Sequence, residues 1–232
     1  RGEIDHSLPF PAQVVQLARL FRERLINLVC QWIQVGYCQG NFNSDNCAAG
    51  GFTLDYGPFG FCELFDPRFQ PWTGGGAHFC FFNQPVAAEA NYRMFWKSLR
   101  TLMEGQAEVQ AQLDQLLEEF PAAMQEAMQR MWSSKLGLPS ADDALVKELL
   151  QLLVESSADY SMFFRRLSDL PEQIDPLRDC FYLPLSDALQ SQWNDWLLRW
   201  RVQWPSGVDS ALISAGMRRV NPAITWREWL IA

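Results

Sequence analysis

Apolar side chains recur every three or four residues in the first part of the chain, from Val14 to Trp32. This spacing places them on one face of an α-helix, so the sequence predicts a helix of about six turns that buries that face. The helix is expected to end near Gly36, because glycine readily adopts the left-handed backbone of a helix cap. The apolar face comprises Val14, Leu17, Phe21, Leu25, Leu28 and Trp32.

Most of the later chain has the same helical periodicity, interrupted by prolines and glycines. Pro85 is suited to the first turn of a helix that runs to about Met103. Four late tryptophans recur at helical spacing and are predicted to pack into the core: Trp193, Trp196, Trp200 and Trp204. Further helices are predicted at 106–119, 121–136, 141–156, 158–168, 185–203, 206–217 and 222–231.

The unusual polar residues are concentrated between the first two helices. The cluster Asn43-Ser44-Asp45-Asn46 comes first, and the segment GGFTLDYG, which contains Asp55-Tyr56-Gly57, follows it. Glycines bound this apolar segment, so it is predicted to form a short strand. Residues 61–82 are predicted to be a loop because they are rich in proline and glycine. The sequence therefore predicts a mainly α fold with one short β unit.

Composition excludes several classes of function. At 232 residues and 48% hydrophobic content the chain can bury a substantial core. A net charge of -8 argues against nucleic-acid partners, which require clustered basic residues. No apolar run reaches the roughly 18 to 20 residues that span a bilayer, so a soluble protein is expected. Six scattered cysteines and two histidines argue against zinc and against a disulfide framework, and favour reduced, buried thiols.

Asn46 and Asp55 are candidate metal ligands. Asp55 lies nine positions after Asn46, and Gly50-Gly51 between them could form a tight turn that brings both side chains to one side. One amide oxygen and one carboxylate, completed by water and phosphate oxygens, suit Mg²⁺. Asp45 would then be available to accept a proton from a hydroxyl group. The alternative is a plain surface turn, since Asn, Ser, Asp and Gly are ordinary turn residues.

Four motifs carry a resemblance to a known family. VGYCQGNFNSDN, TLDYGPFGF and FFNQPVAAEANYRMF lie along an almost unbroken match from Gln34 to Phe95, and MRRVNP follows at 217–222. Together they closely resemble the selenoprotein O family of kinase-like proteins. The resemblance implies a protein-kinase-like C-lobe with a short β-hairpin at the catalytic loop, followed by a helical bundle. It assigns residues 1–103 to the core with the catalytic loop and metal motif, and 104–232 to the helical region of the same lobe.

The resemblance also implies an activity. ATP would bind in an inverted orientation, so that AMP is transferred to Ser, Thr or Tyr hydroxyls of other proteins, with Mg²⁺ or alternatively Mn²⁺. Asp45 matches the catalytic base, and Asn46 and Asp55 match the residues that bind the metal and, through it, the nucleotide. The expected partners are ATP and protein substrates, without nucleic acid or membrane. The expected location is the cytoplasm of a bacterium, or a mitochondrion or other organelle of a eukaryote.

Two alternatives to AMP transfer stay open. One is conventional kinase transfer of the terminal phosphoryl group, and the other is a non-catalytic, acidic helical module that binds a partner protein. In the second case Asp45 and Asp55 would be turn residues only.

The chain departs from the family pattern at several positions. Gln39 stands where the family usually has histidine, which is interpreted as a tolerated structural change, and Asn41-Phe42 and Ser44 also differ. No lysine precedes Lys97, and no G-x-G-x-x-G motif precedes the catalytic loop. Kinase-like transfer uses both upstream of that loop. The N-lobe is therefore expected to be absent, the full-length parent to be an enzyme, and this chain alone to be inactive and to bind ATP poorly.

Overall fold

The computed structural model describes residues 3–227, which contain eight α-helices and one small antiparallel sheet. No helix of this part combines the length and apolarity needed to cross a membrane. The strands are β1 (Tyr37–Gln39) and β2 (Phe59–Phe61). The helices are α1 (Phe10–Val35), α2 (Gln84–Leu102), α3 (Ala107–Glu118), α4 (Phe120–Leu136), α5 (Asp143–Glu155), α6 (Tyr160–Leu167), α7 (Asp187–Val202) and α8 (Ser210–Val220).

Helix α1 is the central element of the fold. It ends where the sequence predicts, because Gly36 adopts the left-handed conformation with φ 82° and its N–H is bonded to Ile33 O. The predicted apolar face is buried almost throughout and packs against α2, α3 and α4. A single cluster of buried side chains runs from α1 to α8, so residues on both sides of the predicted division at 103/104 share one core.

The two strands lie outside the segment predicted to be a strand. In GGFTLDYG, Thr53 alone forms a β-bridge, with Cys47, and the prediction of a strand there is wrong. Gly51 turns the chain at φ 71°, and Phe52 and Leu54 are exposed, so this segment buries neither face. The regular strands flank it because Tyr37 packs on the rings of Phe59 and Phe61 and thereby fixes the pairing of β1 with β2.

The predicted loop at 61–82 contains short 3₁₀ turns, which the sequence did not predict. They lie at Thr73–Phe79 and Phe81–Asn83, the second directly before α2. The first of these turns is kinked at Gly76, whose φ is 55°.

The late helices agree with the periodicity of the sequence, with ends that differ by a few residues. The prediction for the tryptophans is confirmed, since Trp193, Trp196 and Trp200 are fully buried and Trp204 is half-buried. The indole N–H of each of the three fully buried tryptophans has an acceptor, as a desolvated donor requires, whereas the buried Nε1 of Trp204 has none among the described residues. The acceptors are Ser156 Oγ, Leu145 O and Leu136 O, at 2.8, 3.0 and 2.8 Å.

The predicted helix at 222–231 is wrong for residues 222–227, which are irregular, and its remainder lies outside the described residues. Helix α8 ends at Val220, and the buried Asn221 side chain is held by α4 and α6. Its amide donates to Lys135 O at 2.9 Å and to Ser168 Oγ at 3.2 Å. Pro222 then removes a backbone donor, which discourages renewed helix.

Lys135 connects this C-terminal segment to the end of α1. The side chain is buried, and its ammonium donates to Gln34 O at 2.7 Å and to Asn221 Oδ1 at 3.0 Å. It also lies 3.9 Å from the centre of the Phe164 ring, and burial lowers its pKa well below the usual value. The end of α1, from which β1 and the catalytic loop follow, is therefore fixed to the helical bundle.

Candidate active site

Asp45 and Asn46 lie in the single 3₁₀ turn Ser44–Asn46, shortly after β1. Asp45 is exposed, and its carboxylate accepts no hydrogen bond from the part of the chain that the structure describes. Asn46 is half-buried, and its Nδ2 donates to Asn41 O at 2.9 Å. This bond orients the amide so that Oδ1 faces away from Asn41 O. Oδ1 is the atom that a hard cation would bind.

Asp55 follows the Gly51 turn and is exposed. No side-chain hydrogen bond or ion pair involves its carboxylate among residues 3–227. Its neighbour Gly57 leaves room for it, since a Cβ at Gly57 would lie 3.3 Å from Asp55 Oδ2. The Asp55 carboxylate is thus available to a ligand, whereas the Asp55 backbone is held by the protein.

Three hydrogen bonds join the segment around Asp55 to α1 and the start of the catalytic loop. Gln39 Nε2 donates to Asp55 O at 2.8 Å, Gly40 N donates to Pro58 O at 2.7 Å, and Trp32 Nε1 donates to Thr53 Oγ1 at 3.0 Å. Gly40 permits the second bond, because a Cβ there would lie 2.5 Å from Pro58 O. The fold therefore joins the segment around Asp55 to α1 and to Gln39-Gly40, from which the chain continues to the Asp45-Asn46 turn.

Pairs of aromatic rings also connect α1 and β1 with the residues on either side of the candidate site. Trp32 packs edge-on against Phe42 with 4.9 Å between ring centres, and Tyr37 stacks on Phe59 at 5.7 Å. Tyr56, exposed beside Asp55, packs edge-on against Phe59 at 5.6 Å. Offset and edge-on ring pairs of this kind add stability beyond the burial of their area.

The sequence did not identify several polar residues that hold the site. Gln39, Gln84 and Asn91 are buried, and each donates or accepts hydrogen bonds at the catalytic loop or β1. Asn91 Nδ2 donates to Phe42 O at 2.9 Å, and Gln84 Oε1 accepts from Gln39 N at 2.9 Å. One feature of the sequence could have identified Asn91 as a buried hydrogen-bonding residue. Asn91 is a polar residue on the face of α2 that also contains the buried apolar residues Ala87, Ala88 and Tyr92.

The donor set of the site suits a magnesium ion that is shared with a nucleotide. The described residues contain no group of three or more His, Cys, Asp or Glu side chains that could hold a metal ion by themselves. Mg²⁺ in phosphoryl-transfer sites is commonly held by one or two carboxylates together with water and substrate phosphates. Asn46 Oδ1 and the Asp55 carboxylate fit that requirement. Joint ligation of one ion by these two side chains is a proposal.

The cysteines near the site are thiols rather than disulfides. All six cysteines are free, and Cys38, directly before Gln39, is fully buried with its thiol 3.3 Å from Phe79 O. Burial raises its pKa, and it raises the pKa of Cys47 in the catalytic loop to about 12. Both thiols are therefore protonated at neutral pH and are weak nucleophiles.

Comparisons with known proteins identify the family of the chain. The sequence model of the family described as "Protein adenylyltransferase SelO" matches residues 10–232. The chain is 36% identical over 220 residues to "Protein nucleotidyltransferase YdiU" of Aromatoleum aromaticum, covering 90% of this chain and 41% of that protein. It is 34% identical over 210 residues to the protein of the same name from Salmonella enteritidis, covering 88% and 42%.

The chain thus spans about 42% of the length of the curated relatives that it matches. The family match, by contrast, includes nearly every residue of the chain, among them the catalytic loop, the segment around Asp55 and the C-terminal MRRVNP motif. The chain belongs to the SelO family of protein nucleotidyltransferases.

Proposed function

We propose that the full-length protein transfers AMP from ATP to Ser, Thr or Tyr hydroxyls of other proteins, with Mg²⁺ or alternatively Mn²⁺. The fold would be a kinase-like C-lobe, with the catalytic core in residues 1–103 and its helical region in 104–232. The observation that carries the proposal is the hydrogen-bonded contact between the catalytic loop and the segment around Asp55, in a chain of a nucleotidyltransferase family. The pairing of β1 with β2 accounts for the bond of Gly40, but not for the bond from the Gln39 side chain to Asp55 O.

Asp45 would act as the general base. Its exposed carboxylate can reach the hydroxyl of a protein substrate, accept its proton, and so promote attack by the oxygen on the α-phosphorus of ATP. The bond from the α-phosphorus to the oxygen that bridges to the β-phosphate breaks, and pyrophosphate leaves. The product is AMP bound to the acceptor oxygen as a phosphodiester.

Asn46 and Asp55 would hold the metal ion together with the phosphates of ATP. The bound ion would neutralise negative charge on the phosphates as the bond to the leaving group breaks. The protein orients the Asn46 amide through its bond to Asn41 O, and it holds the backbone of Asp55 through the bond of the Asp55 carbonyl to Gln39. Preorganised ligands lose little freedom when the ion and nucleotide bind.

Further groups would have to contact the nucleotide. Lys97 and Lys147 are exposed on α2 and α5, and Lys135 is buried in the core, so none of the three lies in the catalytic loop or near Asp55 in sequence. A kinase-like site uses a lysine and a glycine-rich loop to hold the phosphates. We propose that other parts of the full-length protein supply these groups, and that this chain alone binds ATP weakly.

Radiolabelled ATP tests the reaction. The full-length protein is incubated with Mg²⁺, casein as a hydroxyl-rich acceptor, and ATP labelled at either the α- or the γ-phosphate. The proposal predicts that the α-label becomes covalently bound to protein and that the γ-label is released as pyrophosphate. Protein labelled from γ-labelled ATP would instead establish kinase-type transfer. No incorporation of either label into casein or into the protein itself would favour the non-catalytic interaction module.

A further inference from the structure

We propose that Gln39 is a positioning residue that holds the backbone of Asp55 in the geometry required to bind the metal ion. This inference rests on the proposed function, because it assumes that Asp55 is a metal ligand. It assigns a role to the residue at which this chain departs from the usual histidine of its family.

The segment from Leu54 to Gly57 has few attachments to the rest of the protein. Within the described residues, the bond from Gln39 Nε2 to Asp55 O is the single hydrogen bond that these four residues make. The side chains of Leu54, Asp55 and Tyr56 are all exposed. The segment is also attached by the edge-on packing of Tyr56 against Phe59 and, on either side, by the bonds at Thr53 and Pro58. The position of the Asp55 backbone therefore depends strongly on Gln39.

Tyr37 determines which end of the Gln39 amide faces Asp55. The Tyr37 hydroxyl donates a hydrogen bond to Gln39 Oε1. Burial raises the pKa of Tyr37, so the phenol stays protonated and remains a donor. With Oε1 occupied, the NH₂ group faces the Asp55 carbonyl, which can only accept. The reversed amide would place two oxygens against each other.

Gln84 holds Gln39 from the backbone side. Gln84 Oε1 accepts from Gln39 N at 2.9 Å, and its Nε2 donates to Tyr37 O at 3.0 Å and to Phe81 O at 3.1 Å. Gln39 and Gln84 are 1% and 0% exposed, so water cannot replace a broken bond. The Gln39 amide is therefore held in one position by the core, and its bond to Asp55 O fixes the position of the Asp55 backbone.

The inferred role requires a hydrogen-bond donor at position 39 rather than glutamine itself. A histidine could donate from one ring nitrogen to Asp55 O and accept from the Tyr37 hydroxyl at the other nitrogen. Methionine has a similar size but no donor, so it would leave the Asp55 carbonyl without a partner. Gln39→His keeps a donor to Asp55 O, whereas Gln39→Met fills the same space without one. Comparing the two variants thus separates the effect of the hydrogen bond from the effect of side-chain packing.

The test measures metal binding and backbone mobility rather than turnover. Mn²⁺ affinity of the full-length protein is measured by electron paramagnetic resonance in the presence of ATP, and hydrogen exchange of residues 54–58 is measured without metal. For Gln39→Met we expect Mn²⁺ to bind about 10- to 100-fold more weakly, as is typical when a partner of a metal ligand is lost, and exchange to be faster. For Gln39→His both quantities should stay close to those of the unchanged protein.

Ser156→Ala is the matched control, because it removes a buried hydrogen-bond partner of Trp193 in the helical bundle. It should lower stability without changing Mn²⁺ affinity. A folded Gln39→Met protein with unchanged affinity and exchange would overturn the inference. If that variant does not fold, Tyr37→Phe replaces it: weaker Mn²⁺ binding is expected, and unchanged binding would overturn the inference.

Asp55→Asn in the same assay separates this inference from the function on which it rests. If Asp55→Asn binds Mn²⁺ normally, the metal role of Asp55 is wrong, and the positioning role is wrong with it. If Asp55→Asn loses Mn²⁺ while Gln39→Met retains it, only the positioning role is wrong.

Discussion

Replacing Asp55 by asparagine in the full-length protein is expected to lower the rate of AMP transfer by at least about 100-fold, since loss of a mere partner of a metal ligand already costs 10- to 100-fold. Asparagine has nearly the same shape but lacks the negative charge that binds the ion. The Asp55 carboxylate makes no hydrogen bond or ion pair within residues 3–227, so its loss should not destabilise the fold. Initial rates with α-labelled ATP, measured over a range of Mg²⁺ concentrations, test this expectation.

The chain offers a matched control for this substitution. Asp143 is exposed at the start of α5, and Asp143→Asn makes the same chemical change away from the proposed site. Its transfer rate should equal that of the unchanged protein. If Asp55→Asn and Asp143→Asn had equal rates at every Mg²⁺ concentration, Asp55 would be a turn residue, as the plain hairpin alternative holds.

Replacing Asp45 by asparagine is expected to lower kcat by about 10²- to 10⁴-fold, the usual contribution of a general base. Asp45 is proposed to contact the acceptor hydroxyl and not the ion. The substitution should therefore leave the affinity for Mn²⁺ and ATP unchanged, unlike Asp55→Asn. Measuring kcat and Mn²⁺ affinity on the same preparation distinguishes the two roles.

Two results would contradict the role of Asp45. An unchanged kcat would show that another group, or water, accepts the proton. A loss of Mn²⁺ affinity as large as that of Asp55→Asn would show that Asp45 is a metal ligand instead. Asp187→Asn, at the exposed start of α7, controls for the general effect of removing one negative charge.

Local sequence patterns predicted the helices well because their causes are local. The apolar spacing of α1 is a property of consecutive residues, and Gly36 ends the helix by its own conformational freedom. The three buried tryptophans of α7 likewise follow from their helical spacing. The error at 222–227 arose because the buried Asn221 is fixed by α4 and α6, which lie far away in sequence.

The small sheet and the connections of the site depend on contacts between distant residues, so spacing could not reveal them. Polar turn residues and the family motifs identified Asp45, Asn46 and Asp55 as candidates. Neither indicated that Gln39 binds the backbone of Asp55. Every residue has a backbone carbonyl, so the sequence does not show which carbonyl a side chain will bind. The strand at 50–57 was predicted from apolar residues, of which Phe52 and Leu54 prove to be exposed.

The proposed metal site is tested most directly by locating the ion. Crystals of the full-length protein with Mn²⁺ and a non-hydrolysable ATP analogue would show the metal as an anomalous-scattering peak. We predict a peak at about 2.1 Å from both Asn46 Oδ1 and an Asp55 carboxylate oxygen, with phosphate oxygens among its other ligands, at distances typical of octahedral Mg²⁺ sites. A nucleotide-bound Mn²⁺ ion that contacts neither Asn46 nor Asp55 would contradict the proposed site.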